Sequence, residues 1–142
     1  MTIARILENR DSNIASCTTG DTVAEASQML SERRIGALPV YESGRIAGIF
    51  SERDLLYCIA REGAAVLDRQ VGEVMTAPPI TVTSDTTVLD ALDLMTRRRI
   101  RHLPVIDGDQ VRGFISIGDL VKYRMDMLET ERSQMREYIQ TA

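Results

Sequence analysis

Ile100-Arg101-His102-Leu103-Pro104-Val105-Ile106-Asp107-Gly108-Asp109-Gln110-Val111-Arg112-Gly113-Phe114-Ile115-Ser116-Ile117-Gly118-Asp119 is the stretch on which the reading of this chain turns. Leu103 to Ile106 and Val111 to Ile115 are short apolar runs on either side of Asp107-Gly108-Asp109, the pattern of two strands joined by a tight turn. Ser116, with Asp119 three residues on, has the spacing of a helix start. Moved 65 positions back without a gap, the same pattern recurs from Ile35 to Asp54. When residues 18–56 are laid on 83–121, 14 of the 39 pairs are identical, among them Arg34/Arg99, Leu38/Leu103, Pro39/Pro104, Val40/Val105, Gly48/Gly113, Ser51/Ser116 and Asp54/Asp119. The chain is therefore one unit written twice. A unit of about 60 residues is marginal alone, and two copies can share a core.

Outward from the hairpin, each copy reads alike. A short apolar-polar strand is expected at Ile14 to Thr18 and at Ile80 to Thr83. A helix follows from Thr22 and from Thr87, each Thr standing three residues before an acid, Glu25 or Asp90, as in a capping box. Val88, Ala91, Leu92 and Met95 fall on one helical face, and both helices are expected to end near the arginines. With the hairpin strands Leu38 to Tyr41 and Ile46 to Phe50, and a last helix from Ser51 or Ser116, the unit is β-α-β-β-α. Before each copy lies an apolar lead-in, with apolar residues at 3, 6 and 7 and again at 71, 74 and 75. These segments are expected to pack on the other repeat, Pro78 and Pro79 forcing an extended exit from the second. The expected division is 1–70 for the first repeat with its lead-in, 71–125 for the second, and 126–142 for a helical extension.

Composition narrows the function classes. The 142 residues are 44% apolar and 27% charged, as in a soluble globular chain, and no run approaches a membrane span. The first residues lack the basic start and apolar core of a secretory signal, so a cytoplasmic location is expected. Cys17 and Cys58 have no partner at metal-ligand spacing and read as buried small hydrophobes. A net charge of −4 speaks against a nucleic-acid partner. Arg97-Arg98-Arg99 with Arg101 is flanked by acids and reads as a solvated helix end. With one His and no nucleophile–base pair or metal constellation to place together, no catalytic residues, catalytic cofactor or metal are expected.

The tandem β-α-β-β-α repeat, the Leu-Pro-Val strands, Gly-x-x-Ser-x-x-Asp before the last helix, Met75-Thr76 ahead of the second copy and Arg101-His102-Leu103-Pro104-Val105 within it together resemble the cystathionine β-synthase (CBS) domain. The resemblance covers about 14–62 and 80–125. It implies a mixed α/β (α+β) fold in which two repeats are related by a pseudo-two-fold, here with a long C-terminal helix. It also implies two related clefts between the repeats that in many members hold adenosine-containing ligands, and a module that regulates other proteins.

The candidate binding residues have a physical reading of their own. Ser51 and Ser116, at helix starts, can present a hydroxyl and free N–H groups to a phosphate. Asp54 and Asp119 can accept hydrogen bonds from both ribose hydroxyls. The same Ser-x-x-Asp spacing also serves as a plain cap worth about 1 kcal/mol. The resemblance makes these positions the ribose and phosphate contacts. Copy two places Arg101 and His102 where copy one has Gly36 and Ala37. In the γ subunits of AMP-activated kinase, which this part resembles, basic residues near this point reach phosphates. Copy one carries Arg53 beside Asp54, where copy two has Gly118; Arg53 is alternatively an exposed first-turn residue, and His102 a structural histidine. With so few aromatic residues, adenine would rest on Ile80, Ile100, Ile117 and Pro104, which are equally core candidates.

The expected function is a non-catalytic sensor of an adenosine-containing ligand, AMP, ADP or ATP, with S-adenosylmethionine or NAD compatible with the same ribose contact. The signal would pass through the shape of a homodimer or through an effector protein. The alternative is a ligand-free interaction module. Val121, Met125, Leu128, Arg132, Met135 and Ile139 alternate spacings of four and three along the last helix, either a short heptad seam or the apolar face of a helix lying on its own module.

Overall fold

The computed structural model describes residues 1–8, 10 and 14–141. In chain order its elements are α1 (Ile3–Leu7), β1 (Cys17–Thr18), α2 (Val23–Arg33), β2 (Ala37–Glu42), β3 (Arg45–Ser51), α3 (Glu52–Glu62), a 3-10 segment (Gly63–Asp68), α4 (Val71–Val74), α5 (Val88–Arg98), β4 (His102–Asp107), β5 (Gln110–Ser116) and α6 (Ile117–Thr141). The chain is thus two β-α-β-β-α repeats in tandem with a long C-terminal helix. They form two compact units, Asn13–Ile80 and Met1–Ser12 with Thr81–Ala142.

In the Asn13–Ile80 unit, β2 and β3 form an antiparallel hairpin and β1 joins β2 in parallel, Cys17 opposite Val40. The two-residue loop Ser43-Gly44 takes positive φ at both positions, the mirror-image turn that matches strand twist. β1 is shorter than the strand expected from Ile14, since its pairing with β2 begins only at Cys17. Past it the Thr19 N–H still donates to the Tyr41 carbonyl at 3.1 Å, and the outward Thr18 N–H turns to the Asp21 carboxylate at 2.8 Å. Thr22 caps α2 as expected, its hydroxyl accepting from the Glu25 N–H at 3.1 Å. The expected reach-back by Glu25 is not among the hydrogen bonds of the described residues. Thr22 is bridged instead to Gln70, and the Val23 N–H donates to the Arg69 carbonyl at 2.8 Å. Cys17, Val23, Ala26, Leu30, Leu38, Val40, Phe50 and Val71 make the core.

The other unit repeats this plan with different side chains. β4 and β5 pair antiparallel, with a register irregularity after Val105 that matches the one after Val40. The expected first strand is reduced to a single parallel bridge, Val82 to Val105, since at Ser84 the chain is tied to the Asp107 carboxylate through its N–H at 2.9 Å and its hydroxyl at 2.6 Å. Thr87 caps α5 through the Asp90 N–H at 3.1 Å. Val88, Ala91, Met95, Leu103, Val105 and Ile115 are buried at the positions equivalent to Val23, Ala26, Leu30, Leu38, Val40 and Phe50. Both first helices end on an arginine in the left-handed conformation, Arg34 (φ 53°) and Arg99 (φ 55°).

The lead-ins are exchanged between the units, as their apolar spacing suggested. Val71, from the segment preceding the second copy, is fully buried in the unit of the first, and its N–H donates to the Asp21 carbonyl at 2.8 Å. Ile3 is fully buried in the unit of the second copy, its N–H on the Thr86 carbonyl at 2.9 Å. The close approach explains a repeated glycine. A Cβ on Gly48 would lie 2.6 Å from the Thr76 carbonyl oxygen, and one on Gly113 would lie 2.7 Å from Leu7 Cδ2.

Candidate functional site

Each copy sets a carboxylate at the start of its last helix. In the first, β3 ends on Ser51 and the Glu52 N–H donates to the Gly36 carbonyl at 3.0 Å, tying the helix start to the residue before β2. The Ser51 N–H donates to Asp54 Oδ2 at 2.9 Å, and the Asp54 N–H donates back to Ser51 Oγ at 3.2 Å. In the second, the Ile117 N–H donates to the Arg101 carbonyl at 2.8 Å, the Ser116 N–H to Asp119 Oδ2 at 2.8 Å, and the Asp119 N–H to Ser116 Oγ at 3.2 Å. Both Ser-x-x-Asp motifs are therefore closed capping boxes. A cap uses one carboxylate oxygen and leaves the other for a second donor.

That second donor differs between the copies. Thr76, which follows α4, donates its hydroxyl to Asp54 Oδ1 at 2.8 Å. Thr76 is also bridged to Ile49, each N–H on the other's carbonyl at 2.9 Å. At Asp119 the donor is the Arg10 guanidinium, whose Nη2 pairs with Oδ1 while Nη1 donates to the Phe114 carbonyl at 3.1 Å. Neither Thr76 nor Arg10 was singled out for such a role by the sequence pattern. Burial pushes the Asp119 carboxyl up, but the Ser116 N–H and the Arg10 guanidinium outweigh it and hold the group below the usual carboxylate range.

The remaining candidates fall in both units. Arg53 is exposed in the first turn of α3, and Ile80 is half-buried at the end of the same unit. The other unit brings Ile100, Arg101 and His102 beside Ser116, since His102 lies opposite Ser116 in the β4–β5 ladder. Arg101 is exposed and Ile100 half-buried. The His102 ring stacks on Phe114, centroids 5.6 Å apart and planes 12° apart, which gives it a packing role. Pro104 is buried in β4 between the core residues Leu103 and Val105, so strand alternation turns its ring to the face away from them, and its carbonyl accepts from the Val82 N–H at 3.1 Å. Cys17 and Cys58 are buried thiols with no disulfide, and burial pushes the Cys17 thiol up to about 12. Among the described residues no group of three or more His, Cys, Asp or Glu is placed to hold a metal, and no helix is long and apolar enough to cross a membrane.

Comparisons with known proteins agree with the duplication of the chain. A family model described as the CBS domain matches residues 6–61 and again 71–126. The CBS domain-containing protein CBSX3, mitochondrial, of Arabidopsis thaliana is 41% identical over 129 residues, covering 87% of this chain and 63% of the relative, so this chain spans less than two thirds of that protein. The structure of a CBS-domain-containing protein from Agrobacterium tumefaciens matches with a TM-score of 0.83 and 33% identity over 87% of this chain and 99% of that one. CBSX2 in complex with AMP matches with a TM-score of 0.76 and 26% identity over 89% and 97%. Both matched segments of the family model coincide with the two β-α-β-β-α repeats, and the chain belongs to the CBS domain family.

Proposed function

We propose that this chain is a non-catalytic regulatory module that takes up an adenosine-containing ligand, AMP, ADP or ATP, at the carboxylates of Asp54 and Asp119. The observation that carries this reading is the division of labour at each carboxylate. One oxygen is fixed by its serine cap, while the other is held by a side chain, Thr76 or Arg10, that a ribose diol can replace. The AMP bound to CBSX2, a relative of the same fold, supports an adenine nucleotide. In this reading Ser51 and Ser116 present helix-start donors to phosphate, and Arg101, exposed beside the Ser116 cap, supplies charge. Arg53 and His102 flank the caps, and Ile80, Ile100 and Pro104 line the adenine side. Cytosolic placement agrees with two unpaired buried thiols.

The test is a thermal-shift screen against AMP, ADP, ATP, S-adenosylmethionine, NAD and GTP, repeated on the Asp54→Ala, Asp119→Ala double variant. A ligand that binds the native state raises the midpoint by mass action. One adenosine ligand is expected to do so in the parent and to lose the effect in the double variant. No shift with any ligand at millimolar concentration rejects the reading.

A second reading, an interaction module acting through a homodimer or an effector, is favoured by α6. Val121, Met125, Leu128, Met135 and Ile139 are 42–67% exposed along it, so its apolar seam does not lie on its own unit. Sedimentation of the parent and of a Met125→Glu, Leu128→Glu variant separates a dimer through this seam from a monomer.

A further inference from the structure

In the first copy the donor to the free carboxylate oxygen is neutral, and in the second it is charged. Thr76 serves the Asn13–Ile80 unit with two groups, its N–H on the Ile49 carbonyl at 2.9 Å and its hydroxyl on Asp54 Oδ1 at 2.8 Å. Phe114 is the counterpart of Ile49, and Asp119 of Asp54. Arg10 reaches both counterparts with one side chain, Nη1 on the Phe114 carbonyl and Nη2 on Asp119 Oδ1. The guanidinium thus reproduces with two N–H groups the pair of hydrogen bonds that Thr76 makes.

Displacing the two donors has different consequences. A ribose diol that takes the place of the Thr76 hydroxyl exchanges one neutral hydrogen bond for another, and the Thr76 backbone stays bridged to Ile49. A diol that takes the place of Arg10 breaks a charge-assisted contact, which neutral hydroxyls replace only in part. Arg10 is also tethered, because α1 is anchored by the fully buried Ile3, so its local concentration beside Asp119 is high.

We infer that Arg10 is an internal occupant of the Asp119 carboxylate, which any ribose ligand must displace, so that the Asp54 position fills first. This rests on the ligand-binding reading above and adds a specificity-determining residue to it. The alternative role for Arg10, a phosphate contact, gives the opposite sign.

The experiment is calorimetric titration of AMP and of adenosine into the full chain, the Asp54→Ala variant and the Asp54→Ala, Arg10→Ala variant. Asp54→Asn, which keeps the cap acceptor, serves as a second background should the alanine melt early. Loss of Arg10 is expected to tighten binding at the remaining carboxylate by about fivefold to tenfold, equally for adenosine and AMP. Unchanged affinity, or a loss greater for AMP than for adenosine, overturns the inference and leaves the ligand-binding reading intact. Absence of binding by every protein, the parent included, overturns both.

Discussion

Arg10 stands to Asp119 as Thr76 stands to Asp54, with a guanidinium in place of a hydroxyl and a backbone N–H. The substitution makes the second carboxylate an ion-pair partner with a depressed titration, and this has a consequence in acid. A carboxyl whose folded value lies below its unfolded one contributes stability that is fully present above the unfolded value, near pH 4, and is lost as pH falls through the folded value. Urea midpoints measured from pH 7 down to pH 2 should fall below about pH 4, and Arg10→Ala should flatten that limb. Asp107, lowered by its hydrogen bonds from Ser84, has the same sign, so Asp107→Asn is the control that apportions the slope. An Arg10→Ala curve parallel to the parent's would show that the pair does not matter to stability.

The two lead-in glycines should not be equally sensitive. Gly48→Ala pushes a methyl against the Thr76 carbonyl, whose own hydrogen bond to the Ile49 N–H fixes it, whereas Gly113→Ala meets the end of the Leu7 side chain. Leu7 can change rotamer and Thr76 cannot move without giving up its bridge. Gly48→Ala is expected to cost about 1–3 kcal/mol in urea unfolding and Gly113→Ala less. The reverse order would mean that the α4 segment yields more easily than α1.

Phe50 is the largest fully buried side chain, and Ile115 holds its place in the other unit. Phe50→Ala should destabilise by about 3–5 kcal/mol, and Phe50→Ile by much less, since the second copy already packs an isoleucine there. Denaturant midpoints of the two variants decide it, and equal losses would show that the two cores are not interchangeable.

Thiol labelling tests the burial of the cysteines. With Cys17 buried and its thiol pushed up to about 12, the native protein at pH 8 should leave Cys17 unlabelled by a thiolate-selective reagent, while urea exposes it along with Cys58. Rapid labelling of Cys17 without denaturant would place it outside the core.

Much of the architecture could be read from the amino acids because both copies repeat the same cues. Thr22 and Thr87, the Leu-Pro-Val strands and the Ser-x-x-Asp caps sit at a constant spacing of 65, and each cue acts over a few residues. The first strand of the second copy is shorter than expected because the Asp107 side chain takes the Ser84 N–H, whose counterpart at Thr19 goes to the ladder carbonyl of Tyr41; in the first copy the pairing begins only at Cys17. Glu25 and Asp90 look like capping-box acids, but whether they reach back depends on what the cap backbone pairs with, and that comes from the lead-ins. Arg10 was hidden for another reason. Ile3 and Val71 correspond at a spacing of 68, so a gapless overlay at 65 misaligns the lead-ins, and Arg10 has no counterpart in sequence to point to it. Its equivalence to Thr76 is one of position in space, made by a long side chain spanning what a backbone does elsewhere.

The exchange of lead-ins also bears on synthesis. The Asn13–Ile80 unit holds its own closing segment, Val71 included, and can complete its core once that segment has left the ribosome. Ile3 belongs with Val88, Met95, Leu103 and Leu120 in the other unit, so its burial waits on residues made 85 to 117 positions later. Ile3 is thus made before the Asn13–Ile80 unit, yet its partners are made only after the whole of that unit.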